Sequence, residues 1–166
     1  MIKEKETAGM PSKEKHSPEV TTLDEIVKAF YESVSFAAGK QPDYRRLRSL
    51  FHKNGCITPP KNEKDKIFHV MDLDVYTKNS TENIVITGME RKGLLQTEIA
   101  RRTQTFGNMA HVLSTFEVKH SVGDAALLYR GLYSIQLIRE DQRWWILSVL
   151  WENERTGLQV PRAYLI

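Results

Sequence analysis

The sequence holds one cysteine, Cys56, so no disulfide can close within the chain and no cysteine-based zinc site can be built. A reducing compartment fits that composition. Long hydrophobic runs are also missing. Nothing approaches the roughly 18 consecutive apolar residues of a membrane-spanning helix, and the opening Met1-Ile2-Lys3-Glu4-Lys5-Glu6 lacks the apolar stretch of a secretory signal. The expectation is a cytoplasmic protein with no membrane partner. Charge of one sign is scarce too: 24 Lys and Arg against 21 Asp and Glu leave a net +3. Without a basic stripe that excess does not suit a nucleic-acid surface, and the basic clusters at Arg45-Arg46 and Arg101-Arg102 fall inside patterned elements.

Several chemical signatures are absent as well. There is no glycine-rich phosphate loop, and neither Ser114 nor Ser134 has a nucleophile-elbow context. The five histidines, at positions 16, 52, 69, 111 and 120, show no ligand spacing. Asp72-Leu73-Asp74 has the form of a helix start and lacks the partners of a calcium loop. Neither a metal nor a cofactor is expected.

What is present has the order of an α+β domain. Residues 1–20 are a polar tail, too poor in large apolar side chains to offset the entropy of ordering. From residue 21 to 166 the chain has the length of one domain. Thr22-Leu23-Asp24-Glu25 forms a capping box. Leu23, Ile26, Val27, Phe30, Tyr31, Val34 and Ala38 follow at helical spacing, with Gly39 as the stop. Pro42 opens a second helix that ends at Asn54-Gly55, Cys56–Thr58 makes a short strand, and Asp72 caps a third helix to about Asn83. Four long strand-like runs come next: 94–106, 109–119, 128–139 and 143–154. Gly107-Asn108 turns the first pair and Asp141-Gln142 the last. Helices first and a strand meander after them predict helices packed on one face of an antiparallel sheet. Apolar residues occur at both parities, as at Val112-Leu113 and Trp144-Trp145, so both faces are expected to be covered. The apolar tail end Val160–Ile166 is expected to pack back on the sheet, and a second copy of the chain is expected to supply the rest of the cover.

Three stretches resemble the nuclear transport factor 2-like superfamily, specifically its SnoaL-like bacterial branch: Thr103–Glu117, Ser134-Ile135-Gln136-Leu137 and Arg143–Trp151. The resemblance extends over about residues 22–160. It implies a cone-shaped, cystatin-like fold in which helices pack on a strongly curved sheet. It does not fix an activity, since the superfamily contains isomerases, dehydratases, cyclases, epoxide hydrolases and proteins that only bind. A steroid-isomerase-like member needs an acidic base, a tyrosine and a protonated acid, a set not found here by motif. A scytalone-dehydratase-like member needs a histidine pair and an acid, for which His111 supplies one histidine.

Simple pairing across the two tight turns yields two candidate faces. With Phe106 opposite Met109, His111 faces Gln104, Leu113 faces Arg102 and Glu117 faces Glu98. One surface then carries Glu98, Arg102, Gln104, His111, Thr115 and Glu117, and His111 with Glu98 or Glu117 could move a proton. Pairing of Glu140 with Arg143 gathers Ser134, Gln136, Trp145 and Trp151 on one face. Those four suit either a small-molecule pocket or a tryptophan-rich dimer interface. Three functions stay open: a homodimer binding a small apolar or amphipathic ligand, a cofactor-independent isomerase, dehydratase or cyclase, and a structural dimer whose cone is filled by Phe30, Phe106 or Phe116.

Overall fold

The computed structural model describes residues 20–61 and 64–166. The tail expected over residues 1–20 lies outside the described residues except for Val20, which is buried in the core and belongs to the domain. The order of elements is α1 (Leu23–Val34), α2 (Tyr44–Leu50), β1 (Phe51–Thr58), α3 (Leu73–Ile86), α4 (Met89–Lys92), β2 (Leu95–Phe106), β3 (Met109–Lys119), β4 (Tyr129–Glu140) and β5 (Arg143–Asn153), with a short 3₁₀ turn at Arg162–Tyr164.

The capping box at Thr22 forms as expected: the Thr22 hydroxyl accepts from the Glu25 amide and the Glu25 carboxylate accepts from the Thr22 amide. The helix then stops at Val34, four residues before the expected Ala38. Phe36 leaves it to exchange two backbone hydrogen bonds of 2.8 Å with Leu94, and Ser35 accepts from the Gln96 amide. These non-local bonds outweigh helical propensity, which is worth only about 0.7 kcal/mol per ordinary residue.

The second correction concerns β1. It begins at Phe51, directly after α2, and runs through Gly55. It pairs parallel with β5, so the sheet order β1-β5-β4-β3-β2 is antiparallel only from β5 outward. The short α4 has no periodic apolar pattern and escaped the sequence reading.

The core lies between α1, α2 and one face of the sheet. Phe30, Ile26, Leu47 and Leu50 from the helices meet Val112, Phe116, Val118, Ile135, Leu137 and Ile146 from the strands, all essentially without solvent contact. Burial of each such side chain stabilises the fold by about 1.5–3 kcal/mol. Phe30 and Phe116 do fill this region, whereas Phe106 is 78% exposed at the tip of the β2–β3 hairpin. Gly107 holds that turn at φ 57°, a conformation that a side chain would strain.

Candidate functional site

The register of the sheet decides which residues meet. Between β2 and β3 the pairs Phe106–Met109, Gln104–His111 and Arg102–Leu113 are as expected. A bulge between Glu98 and Ala100 then adds one residue, so that Glu98 pairs with Phe116 and Thr97 takes the place beside Glu117. Because side chains alternate along a strand, one extra residue sends everything beyond it to the other face. Glu98 is therefore inside, on the helix-covered face, and does not share a surface with His111. A second bulge, between the pairs Gln136–Ser148 and Leu137–Ile146 of the β4–β5 ladder, leaves Leu147 of β5 as the extra residue and does the same to Trp151. That residue pairs with Tyr133 on the inner face, while Ser134 pairs with Leu150, Gln136 with Ser148 and Ile138 with Trp145 on the outer face. Both candidate faces drawn from regular pairing are thus divided.

On the outer face, the His111 ring shares a 2.9 Å hydrogen bond with the Ser134 hydroxyl. Arg102 lies with its guanidinium 5.7 Å from the Tyr164 ring centroid, and the Thr115 hydroxyl donates to the Tyr164 carbonyl at 2.5 Å. These two residues hold the C-terminal turn against the sheet, as the apolar end of the chain led one to expect. Arg130 neutralises Glu117 at 2.6 Å and approaches Glu154 at 4.0 Å. Gln104 and Gln136 are exposed. Trp145 lies under the Arg143 guanidinium, 3.5 Å from the ring centroid.

Inside, Glu98 is a fixed carboxylate. Arg101 donates to both its oxygens at 2.8 and 2.6 Å, and the Ser114 hydroxyl donates to one of them. Ser114 in turn bonds the buried Tyr31 hydroxyl at 2.7 Å, and Arg101 also reaches Asp24. The chain Tyr31–Ser114–Glu98–Arg101–Asp24 ties both ends of α1 to β2 and β3. With its oxygens bound by charge-assisted hydrogen bonds, Glu98 serves to hold the helix on the sheet.

The enclosed space lies further along the inner face. A chamber of about 150 Å³ is bounded by Tyr44 and Leu47 of α2, Tyr76, Ser80, Asn83 and Ile84 of α3, and Gln96, Phe116, Tyr129, Tyr133 and Trp151 of the sheet. A wider vestibule of about 500 Å³ adjoins it and shares Tyr76, Ser80, Asn83 and Trp151 as common wall. The vestibule is completed by Met71, Val75 and the loop side chains Pro60, Lys61, Ile67 and His69, whose ring bonds the Asp65 carboxylate. That bond is the main cause of the lowered Asp65 pKa.

The chamber walls carry no charged side chain. Its polar groups are phenols, an indole, two amides and a hydroxyl. Tyr44 donates to the Ser80 hydroxyl oxygen at 2.9 Å, and Tyr133 donates to the Gln96 carbonyl at 2.7 Å. Burial pushes the Tyr76 phenol up to about 12 and raises Tyr129 and Tyr133 as well. All three remain neutral hydrogen-bonding groups at physiological pH.

Of the expected ligand-binding residues, only Trp151 lines this chamber. Four of the six tyrosines lie on its walls, and none of them is among the site residues expected from the sequence. A signal existed: Tyr129 and Tyr133 are four apart in one strand and so share a face. Among the described residues no group of three His, Cys, Asp or Glu could hold a metal ion, and no helix is long and apolar enough to cross a membrane.

No protein-family model matches the sequence, and no curated protein matches it. Solved structures do match its fold. A protein of unknown function with a cystatin-like fold from Nostoc punctiforme superposes with a TM-score of 0.60 at 11% identity, over 80% of this chain and 88% of that one. A nuclear transport factor 2-like protein of unknown function from Pseudomonas putida gives 0.59 at 9% identity, over 78% and 82%. A nuclear transport factor 2-like protein with a cystatin-like fold from Novosphingobium aromaticivorans gives 0.55 at 13%, over 75% and 77%. The chain therefore has the nuclear transport factor 2-like, cystatin-like α+β fold that its sequence resembles.

Proposed function

We propose that the protein binds a small, uncharged, apolar or amphipathic ligand in the chamber between its helices and the inner sheet face. The observation that carries this reading is the chamber wall itself: aromatic and aliphatic, provided with a few neutral polar groups, and without a carboxylate, imidazole or ammonium. Such a lining favours apolar contact and orients a ligand by hydrogen bonds. It offers no group that would exchange a proton near neutral pH. The proton-transfer alternative pairs His111 with Glu98 or Glu117, and the β2 bulge turns Glu98 to the other face. Glu117 lies on the same face as His111 but is held by Arg130.

A fluorescence titration with the uncharged probe N-phenyl-1-naphthylamine tests the reading. One probe should bind per chain, with emission shifted to the blue. Ser80→Phe, which places a ring in the wall common to chamber and vestibule, should weaken binding at least tenfold while the variant melts as a folded protein. Equal binding by Ser80→Phe would place the ligand elsewhere.

A second copy of the chain is the proposed cover for the outer sheet face. Support comes from what that face presents: Met109 and Leu150 are 57% and 46% exposed, with Leu113, Ile138 and Trp145 half-buried between them. The C-terminal turn packs on β2 and β3. Apolar side chains grouped on one sheet face, with His111 and Ser134 paired among them, fit an isologous interface.

A further inference from the structure

The two long helices are held unequally. α1 buries seven of its twelve residues, whereas α3 buries one of its fourteen, Ile84. The cause lies in what α3 covers. Its inward positions Tyr76, Ser80, Asn83 and Ile84 follow at helical spacing, but they line the chamber where a packed helix would meet side chains. Val75, Val85 and Ile86 face solvent. Polar ties add little. Tyr44 donates to Ser80 at 2.9 Å, and the Arg48–Asp74 ion pair lies at the surface, where such pairs contribute weakly. Thr77 and Thr81 direct their hydroxyls to the carbonyls of Leu73 and Thr77 in the same helix, which anchors nothing to the sheet. The flanks differ from the helix. Before it, Met71 and Ile57 exchange two backbone hydrogen bonds of 2.8 and 2.9 Å. After it, Gly88 turns the chain at φ 70°, and a side chain there would have only the Arg91 guanidinium as its nearest neighbour. Beyond Gly88 the chain is fixed again: the Gly39 amide donates to the Glu90 carbonyl at 2.7 Å, and a methyl group on Gly93 would lie 2.9 Å from the Ala38 nitrogen.

We propose that α3 is a gate: the segment between Met71 and Gly88 opens from the sheet as a unit, far more often than the domain unfolds, and its opening admits a molecule to the chamber. The opening follows from the packing alone, and only the role of gate rests on the ligand-binding reading above. An element with few buried contacts opens locally while the core stays folded. The hinges are the Met71 bridge on one side and Gly88 on the other. Tyr76, Ser80 and Asn83 stand in the wall between chamber and vestibule, so movement of α3 joins the two spaces. A molecule in the chamber would supply the packing that α3 lacks, and would hold the gate shut.

The experiment is amide hydrogen exchange, followed residue by residue on the whole chain. In the wild-type protein the hydrogen-bonded amides of α3 should exchange roughly a hundredfold or more faster than those of α1 and β3. Ile26→Val then separates local from global opening. Ile26 is fully buried in α1, and loss of one methyl group there weakens the core while the protein still folds. Exchange in α1 and β3 should quicken about severalfold, and exchange in α3 should stay as it was, because α3 opens without disturbing Ile26. Saturating N-phenyl-1-naphthylamine should slow exchange in α3 by about tenfold or more. Equal protection of α3 and α1, or equal acceleration of α3 by Ile26→Val, overturns the opening. Probe binding that leaves α3 exchange unchanged overturns the role of gate alone. Absence of probe binding to the folded wild-type protein overturns the ligand-binding reading and the gate with it, while fast exchange confined to α3 still upholds the opening.

Discussion

Gly131→Ala should unfold the protein at a markedly lower temperature than any surface substitution. A methyl group built on Gly131 would lie 2.4 Å from the Phe116 ring and 2.6 Å from the Glu152 carbonyl oxygen. Neither contact is compatible with ordinary packing, and the second is to backbone of the adjacent β5 strand, which cannot rotate away. Phe116 is itself confined, buried with its ring centroid 4.4 Å from that of Tyr133. Overpacking of this kind costs about 3 kcal/mol, or a fall in melting temperature of roughly 6–12 °C for a chain of this size. Phe116→Leu in the same chain should recover part of the loss, because it relieves the ring contact and leaves the carbonyl contact in place. A calorimetric melt of Gly131→Ala that coincides with wild type would show that β3, β4 and β5 are not packed as described.

The second large effect is on assembly. Sedimentation at micromolar concentration should give the wild-type protein twice its chain mass of 19.2 kDa. Leu150→Lys should give a folded monomer. Leu150 lies on the outer face opposite Ser134 and is 46% exposed within one chain. A lysine there costs the isolated domain little, because its head can reach water. In a two-fold interface the substitution acts from both copies, buries two unpaired ammonium groups and brings like charges together. A wild-type protein that sediments as a monomer would remove the proposed interface. A Leu150→Lys dimer would move it to another surface.

The sequence and the structure agree where local signals dominate. The strand ends of β2 to β5 fall within a residue or two of the expected ones, because Gly107-Asn108 and Asp141-Gln142 punctuate the chain and their turns set the register of the residues nearest them. Asp141 and Gln142 both adopt positive φ, 50° and 64°, as the tight turn demands. The N-terminal ends of α1 and α3 were legible for the same reason: Thr22 and Asp72 carry their capping oxygens in the sequence.

Agreement ends where tertiary contacts decide. The halt of α1 at Val34 comes from pairing of Phe36 with Leu94, nearly sixty residues away in the chain. The two bulges leave no local trace, yet each reverses the face of every residue beyond it. Glu98 and Trp151 were consequently grouped with outer-face residues when their side chains belong inside. The chamber was missed because its walls come from α2, α3 and the sheet together, and no spacing within one element shows that Tyr44, Tyr76 and Tyr133 converge.

Binding in the chamber is tested by following ring and indole signals by nuclear magnetic resonance during titration with N-phenyl-1-naphthylamine. Saturable shifts are expected at Tyr129, Tyr133 and the Trp151 indole N–H, with the His111 ring unmoved. Shifts centred on His111 while the chamber signals stay in place would contradict it, and would move the binding site to the outer face of the sheet.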